Sequence, residues 1–540
     1  VDYKILSSSL TKWRGNWETF WQDVAERCFT DQADFNVTRS PGTRRTQRVF
    51  DSTAAIAIDR SASAIIGLIT PKSERWHTLT TDDDELNKSQ VVKRYFDDVT
   101  KILFANRYAA RSGFSMSNFQ SVRSLMGFGT GAMTINESPS GKGTIYQSMF
   151  LGDIYIGVDN FGRVDTMMRE FEFTKNQAIQ QWGEENLPLK IRQDKGNGKF
   201  KFCHIVHPNE DYNEFSIRAE ERQFKFVYLF KEDMEAPLES GGYYSFPYAI
   251  CREVTSPNEI YGRSPAMQIL PEIKGLNKMR QTNIMAGQMA VTPPLLAPTS
   301  ANGVGTLGAG PMAINFKPGG VTHGGVNAQG NQMVLPMNTG ARPDIGQQMI
   351  EESRRIINDS FYLNLFQILV ETPTMTATEV LARTQEKGIL LAPTADRLEA
   401  EYLGPMIERE LDILSRQRLL PELPGELLEA GGDYSVKYES PITRAQRASQ
   451  SMGMQETFNM AMNAASVDPS ILDTINLDEM IKQTADNNGT PASVVRSQTE
   501  IDELRQQRQA QEQQQNIVEQ APAMANAAKS IAEAQAISSI

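Results

Sequence analysis

Near the N-terminus apolar residues recur every three or four positions. Leu10, Trp13, Trp17, Phe20, Val24 and Cys28 predict a helix whose aromatic stripe packs inward. The runs FDSTAAIAIDRSASAIIGLIT and LNKSQVVKRYFDDVTKILFANRYAARSGFSMSNFQSVRSLMGFGTGA continue the helical pattern, with TTDDDEL between them as a solvated loop. From about Ala132 to Val254 the texture changes. MTINES, TIYQSMF, FKFCHIVHP, RQFKFVYLF and YYSFPYAICREV are short, β-branched or aromatic, and divided by Gly, Pro, Asn and Asp, which predicts antiparallel strands and hairpins. Helix returns at about Pro265 and stops before Pro293, Pro294 and Pro298. Residues 292–340 are rich in Gly, Pro and Asn, with AINFKP and MVLPMN as short strand-like pieces. Helix resumes over 342–369, with Ile350, Ile357, Phe361 and Leu365 on one side.

The stretch from Glu371 to Gln417 reads as two helices around an apolar joint. Thr376 followed by Glu379 fits a capping box, so a helix is predicted from Ala377 to its terminal Gly388. Ile389, Leu390, Leu391 and Ala392 follow, and Pro393 disfavours helix in the residue before it. A second helix is predicted from Thr394, with Leu398, Tyr402, Met406 or Ile407, Leu411 and Leu414 on its apolar side. It spans roughly 39 Å, with a kink at Gly404-Pro405. A strand, DYSVKYESP, and a helix from about Thr443 to Ala465 come next. The Gln- and Ala-rich tail after Asp502 is a marginal helix on its own. The fold class expected is α+β, mainly helical.

A formal charge of −12 over 540 residues argues against a protein that clamps duplex DNA over its whole surface, while leaving room for local basic belts. Cys28, Cys203 and Cys251 are too scattered for a disulfide framework and suit a reducing assembly compartment. No apolar run approaches the roughly 20 residues that span a bilayer, so no membrane insertion is expected. The first residues carry no basic, apolar and small-residue signal pattern.

Catalytic motifs fail in context. GVGTLG at Gly303–Gly308 matches GxGxxG in letters only, without a strand before it or a helix after it. SPSGKGT lacks the upstream Gly and the hydroxyl residue after Lys that a P-loop needs. In CHIVHP, strand alternation sends His204 and His207 to opposite faces, and no second ligand pair is spaced for zinc. The carboxylates of TTDDDEL lack EF-hand spacing. No catalytic residue, metal site or cofactor is expected.

Three blocks carry a resemblance: EIYGRSPAMQILPEIKGLNKMRQTNIMAGQMAVTPPLLAP at 259–298, MTATEVLARTQEKGILLAPTADRLEAEYLGPMIERELDIL at 375–414 and YESPITRAQRA at 438–448. With the region from Trp13 to Trp76, they make the chain similar to the portal, or head-to-tail connector, proteins of podovirus-type bacteriophages. The resemblance implies a portal fold with wing, two-helix stem, clip, long kinked helix and helical crown, assembled as a homo-oligomeric ring, a dodecamer in the family. Mapped onto this chain, it implies an N-terminal helical part of the wing at 1–131 and a β-rich part at 132–260. The stem helices would be 261–291 and 341–370, with the clip at 292–340 between them. The channel loop and long helix with its return strand would occupy 371–440, and the crown and tail 441–540. The implied function is a conduit for genome packaging and ejection at one capsid vertex, in a virion assembled in the host bacterial cytoplasm. Its implied partners are duplex DNA, the terminase large subunit, a tail adaptor, major capsid or scaffolding protein, and internal core proteins. ATP hydrolysis would belong to the separate packaging motor.

Candidates for the DNA channel are Lys274, Lys278 and Arg280 on the first stem helix, Arg354 and Arg355 on the second, and Arg383, Lys387 and Arg397 near the joint. Ring symmetry would turn each into a belt of charge. The same residues could instead form outer-surface or intersubunit salt bridges. Ile389, Leu390, Leu391 and Pro393 are channel-loop candidates, with ETPTMT at 371–376 as a rival for that role. The alternatives are another ring-forming virion component, such as a tail adaptor, or a metal-dependent nucleic-acid enzyme using Asp82–Glu85.

Overall fold

The computed structural model describes the chain outside residues 1, 31–34, 38, 41, 197, 214–215, 217, 299–314, 316, 327–328, 333–342, 365–391, 433, 440, 466–473, 488–489, 491–493, 497–499 and 512–540. Two compact units result: residues up to Trp76 with Leu103–Leu419, and His77–Ile102 with residues from Leu420 onward. Helix and strand are mixed, as the change of period predicts. The return of 77–102 to the C-terminal part is something no linear division of the chain anticipates.

In the larger unit, helix α1 (Tyr3–Cys28) opens on Asp2, whose carboxylate accepts from the amides of Lys4 and Ile5. Its inward face is Leu10, Arg14, Trp21, Val24 and Cys28, whereas Trp13 is 50% exposed and Phe20 half-buried. The expected stripe is therefore rotated. Arg14 causes the shift, because it is buried and donates to the carbonyls of Ile154 (2.8 Å) and Gly152 (2.6 Å) beneath the Tyr155 ring. Helix α2 (Thr53–Ile69) follows. Strand β1 (His77–Thr80) and most of helix α3 (Gln90–Arg107) belong to the smaller unit. Helix α4 (Phe114–Phe128) then ends on Gly129 at φ +76. A side chain at Gly129 would be strained by that φ and would strike the Gly262 carbonyl at 2.1 Å.

Strands β2 (Thr130–Glu137) and β3 (Thr144–Met149) form a sheet against α4, completed by a distant strand described below. Strands β4 (Ile154–Val158) and β5 (Val164–Thr174), short helices α5 (Lys175–Trp182) and α6 (Leu189–Gln193), and strands β6 (Lys199–Pro208), β7 (Phe224–Phe230) and β8 (Asp233–Tyr243) come next. The five strands form an antiparallel meander in the order β4-β5-β6-β7-β8. One face packs Tyr155, Met168, Cys203, Ile205 and Leu229 under Leu10 of α1. The other packs Phe202 and Phe230 against Trp182 and Ile191 of α5 and α6. Alternation holds at the histidines: His207 lies beside Tyr3 on the α1 side, and His204 is stacked on Tyr228 on the opposite side. His204 is a buried structural residue. Burial, with Arg169 nearby, lowers its pKa to about 3, and Nδ1 shares a 2.5 Å hydrogen bond with the Tyr248 hydroxyl.

Strand β9 (Tyr248–Arg252) closes the first sheet in the order β3-β2-β9. Helices α7 (Pro265–Gln268) and α8 (Leu270–Val291) follow, and strand β10 (Leu295–Pro298) pairs in parallel with β11 (Val321–Val326). Of the two predicted strand-like pieces, half of AINFKP lies outside the described residues. Lys317–Gly320 is a turn, closed by the Gly320 amide on the Lys317 carbonyl, and MVLPMN lies outside the described residues. Helix α9 (Pro343–Ser360) packs on α8. It is interrupted after Ser360 by a turn at Phe361–Tyr362, Leu363 and Asn364 are helical again, and 365–369, where the predicted helix ends, lie outside the described residues. Apolar periodicity continues through the turn, but the Asp359 carboxylate takes the Asn364 side chain, and Tyr362 adopts φ +59 with its amide on the Asp359 carbonyl.

The capping box, the Ala377 helix and the joint Ile389–Leu391 lie outside the described residues. Helix is present over 392–398 and continues as a π turn, Glu399–Leu403, into helix α10 (Gly404–Arg416). The predicted kink site, Gly404-Pro405, directly follows this wider winding. Pro405 has no amide hydrogen, and its ring would clash with the carbonyl four residues earlier. Three carboxylates of this helix are held by arginines. Arg107 donates to both oxygens of Glu410 (3.0 and 2.5 Å), with both side chains fully buried and the Tyr146 hydroxyl also donating to Glu410. Arg252 holds both oxygens of Glu401 at 2.8 Å, and Arg409 holds Asp412 at 2.9 Å. Burial is the largest single influence and pulls the Arg107 pKa down, but the charge and hydrogen bond of Glu410, with Tyr146 and Tyr108, together leave it raised.

In the smaller unit, β1 pairs antiparallel with β12 (Ser435–Tyr438). Helices α11 (Gly425–Glu429), α12 (Pro441–Ala465) and α13 (Leu477–Asn487) and a helical stretch at 500–511 complete it. Ser89 donates to Glu426 (2.5 Å) and Lys93 pairs with Asp486 (2.9 Å).

Removing one partner of a buried pair leaves an uncompensated charge. Glu410→Gln is therefore expected to lower unfolding free energy by about 3–5 kcal/mol, read from the urea midpoint at constant slope. The double change Arg107→Met/Glu410→Leu should recover most of that loss; equal or greater destabilisation would show that the charges themselves stabilise the fold.

Candidate nucleic-acid interface

Two helices carry most of the basic candidates. On α8, Leu270, Ile273, Leu276 and Asn277 face inward. Lys274 pairs with Asp23 of α1, and Asp23 also takes Arg27. Lys278 is exposed and donates to Gln281 (3.3 Å), and Arg280 is half-buried. On α9, Ile350, Ser353 and Ile357 are buried, which turns Arg354 sideways and Arg355 outward. Arg354 bonds Asp51 (2.7 Å) and Glu351 (2.8 Å). Arg355 has no ion-pair partner among the described residues, and with Thr53, Glu351 and Asn358 it lines an open hollow of about 310 Å³.

The other candidates divide. Arg383, Lys387, Ile389, Leu390 and Leu391 lie outside the described residues, as does the rival segment 371–376. Pro393 is exposed in the first turn of its helix. Arg397 donates to the Thr255 hydroxyl (2.8 Å). Lys278 and Arg355 thus present charge to solvent, whereas Lys274 and Arg354 fix helices in place.

Beside Arg397 lies a carboxyl group that the sequence did not single out. Glu253 follows β9, is buried, and accepts from the Thr394 hydroxyl (3.0 Å) through one oxygen, while the other has no hydrogen-bond partner among the described residues. Burial outweighs the Thr394 bond and the nearby Arg397 charge, and raises its pKa to about 7. Among the described residues no group of three or more His, Cys, Asp or Glu side chains converges to hold a metal ion. Likewise no described helix is long and apolar enough to cross a membrane.

Residues 3–495 match the family model described as "Bacteriophage head to tail connecting protein", and the chain belongs to that family. The family resemblance carried by the three sequence blocks is borne out. Among its relatives, the probable portal protein of Bordetella phage BPP-1 is 27% identical over 514 residues, covering 93% of this chain and 89% of that one. The portal protein of Salmonella phage epsilon15 is 25% identical over 539 residues, covering 97% and 93%. A chain from the neck of an empty gene transfer agent particle, computed with C6 symmetry, is 10% identical and covers 77% of this chain and 90% of its own, at a TM-score of 0.34.

Glu253 gives a signed pH dependence. Because the folded protein holds this proton more tightly than the unfolded chain, its contribution is complete below the unfolded value near 4.5 and is lost as pH rises through about 7. Between pH 5 and 8 wild type should lose stability relative to Glu253→Gln by of order 3 kcal/mol. Parallel stability curves for the two proteins would show that Glu253 does not titrate in this range.

Proposed function

We propose that this chain is a portal subunit: copies form a ring at one capsid vertex through which duplex DNA enters during packaging and leaves on ejection. The observation that carries the reading is nearly full-length similarity to two phage portal proteins. In this reading α8 and α9 are the stem helices, residues 292–340 the clip, and 365–391 the segment nearest the channel. The ring docks the terminase large subunit and later a tail adaptor, within a shell of major capsid or scaffolding protein. Internal core proteins are further contacts. The chain's own part is architectural, with nucleotide hydrolysis supplied by the docked motor.

The outer faces of the two stem helices support a packed ring. Ile284 and Met285 on α8, and Met349 and Ile356 on α9, are exposed in the single chain. Neighbouring copies would cover them at little cost, since apolar area removed from water is stabilising. Charge supports a conduit: with −12 overall, sparse basic belts touch phosphate without holding it, and a genome can slide past. Lys278, Arg280 and Arg355 are the side chains best placed to form those belts, because Lys274 and Arg354 already answer carboxylates of their own subunit.

Native mass spectrometry with top views of the purified chain tests the assembly. A closed ring with a hole wide enough for duplex DNA is expected; an open filament or a smaller closed oligomer with no such hole would overturn the reading. Ile284→Asp should shift the population toward monomer without changing the circular dichroism spectrum. Deleting residues 500–540 should leave ring formation intact. The described contacts of 500–511 include exposed ion pairs, Arg505 with Asp478 and Glu500 with Arg94, which water and salt screen.

A further inference from the structure

Residues 35–50, FNVTRSPGTRRTQRVF, contain four arginines and no carboxylate, in a chain with more acidic than basic residues. The structure fixes part of this segment in place. The Thr43 amide and hydroxyl both donate to the Ser40 carbonyl (3.2 and 2.7 Å), and Thr46–Arg48 makes a single 3₁₀ turn closed by the Val49 amide on Thr46. Beyond it, the amides of Phe50 and Asp51 donate to Asn277 Oδ1 (2.8 and 3.1 Å), so the segment ends against α8 one residue from Lys278. Basic groups of this segment and of α8 also meet neighbouring carboxylates on one side of α1, Glu26 and Asp23.

The two carboxylates of α1 that meet these groups are each shared. Glu26 answers both Arg39 and Arg48, and Asp23 answers both Arg27 and Lys274. Arg44 is exposed and has no ion-pair partner among the described residues, and Lys278 meets an amide oxygen rather than a carboxylate. Arg48 pairs with Glu26 yet keeps two thirds of its side chain in water.

We infer that the segment Arg39–Arg48, together with Lys278 of α8, is a binding site for the phosphate backbone of duplex DNA. The inference rests on the portal reading for the presence of DNA, but its geometry is that of the single chain. Guanidinium groups match phosphate oxygens with paired donors. The residues between the arginines, Ser40, Thr43, Thr46 and Gln47, carry the hydroxyl and amide donors that commonly supplement such contacts. An acidic protein partner fits less well. Protein interfaces centre on buried aromatic or apolar anchors, and between Arg39 and Arg48 there is no such side chain except Pro41. Without base-reading elements, the binding is independent of sequence and weakens steeply with salt.

The test is fluorescence anisotropy of a labelled random-sequence duplex with the purified full chain, from about 0.05 to 0.2 M salt. Wild type should bind with a negative slope of log affinity on log salt. Arg44→Ala/Arg48→Ala should bind at least about tenfold more weakly at the lowest salt, with the slope smaller by about 0.9 for each phosphate that is no longer neutralised. Arg218→Ala, an exposed arginine elsewhere, should leave both unchanged. Should the double variant fold poorly by circular dichroism, Arg44→Ala/Lys278→Ala replaces it, since neither side chain pairs with a described carboxylate. Unaltered binding in a folded variant would overturn the inference, as would no binding by wild type at low salt. So would displacement of the duplex by poly-glutamate as readily as by unlabelled duplex. Ring size, read separately by native mass spectrometry, distinguishes failure of this site from failure of the portal reading.

Discussion

The larger unit is organised around arginines that hold the carboxylates of one long helix. Arg107 reaches Glu410 across 303 residues of chain, and Arg252 reaches Glu401 across 149. Such pairs contribute little net stability, because desolvation consumes most of the attraction. Their effect is on specificity: a slipped or rotated helix would leave a guanidinium buried without a partner, at several kcal/mol. The pair at Glu410 is also wrapped in aromatic rings. Arg107 lies over Trp76, Phe104 and Phe114, and the Tyr146 hydroxyl fills a further acceptor position of Glu410. A helix fixed at these points can carry load without shifting its register.

Local patterns in the sequence are legible to the extent that local physics decides them. Alternation along β6 correctly divides His204 from His207, and Gly- and Pro-bounded runs mark the hairpins of the meander. Period also locates α8 and its end before Pro293. What it misses are buried polar groups. Hydrophobicity alone ranks Trp above Arg and so draws the α1 stripe through Trp13, yet Arg14 faces inward and Trp13 outward. Nothing near Arg14 in the sequence announces the Ile154 and Gly152 carbonyls that satisfy it. The break after Ser360 escapes for a related reason, a side-chain competition at Asp359 that periodicity does not record.

The candidate interface is legible in part. Helical spacing puts Lys274 and Lys278 on neighbouring rows, but only the fold shows that one meets Asp23 and the other meets solvent. The arginine run at 39–48 is readable as a charge pattern, but it falls between predicted helices, where neither period singles out a face on which its charges would gather. Glu253 carries no signal at all: its character comes from burial beside Thr394, 141 residues away.

The π turn at Glu399–Leu403 sets a further limit on this family member. Glu401 and Glu410 are nine residues apart, two and a half turns of a uniform α-helix, which would aim them in opposite directions. The wider turn between them takes back part of that angle, so both carboxylates reach arginines on the packed side. A one-residue change that this turn did not absorb by altering its winding would rotate everything beyond it by about 100°. The residue count and the winding of this turn are thus coupled, and among functional relatives a one-residue difference in length here goes with a change between π and α winding.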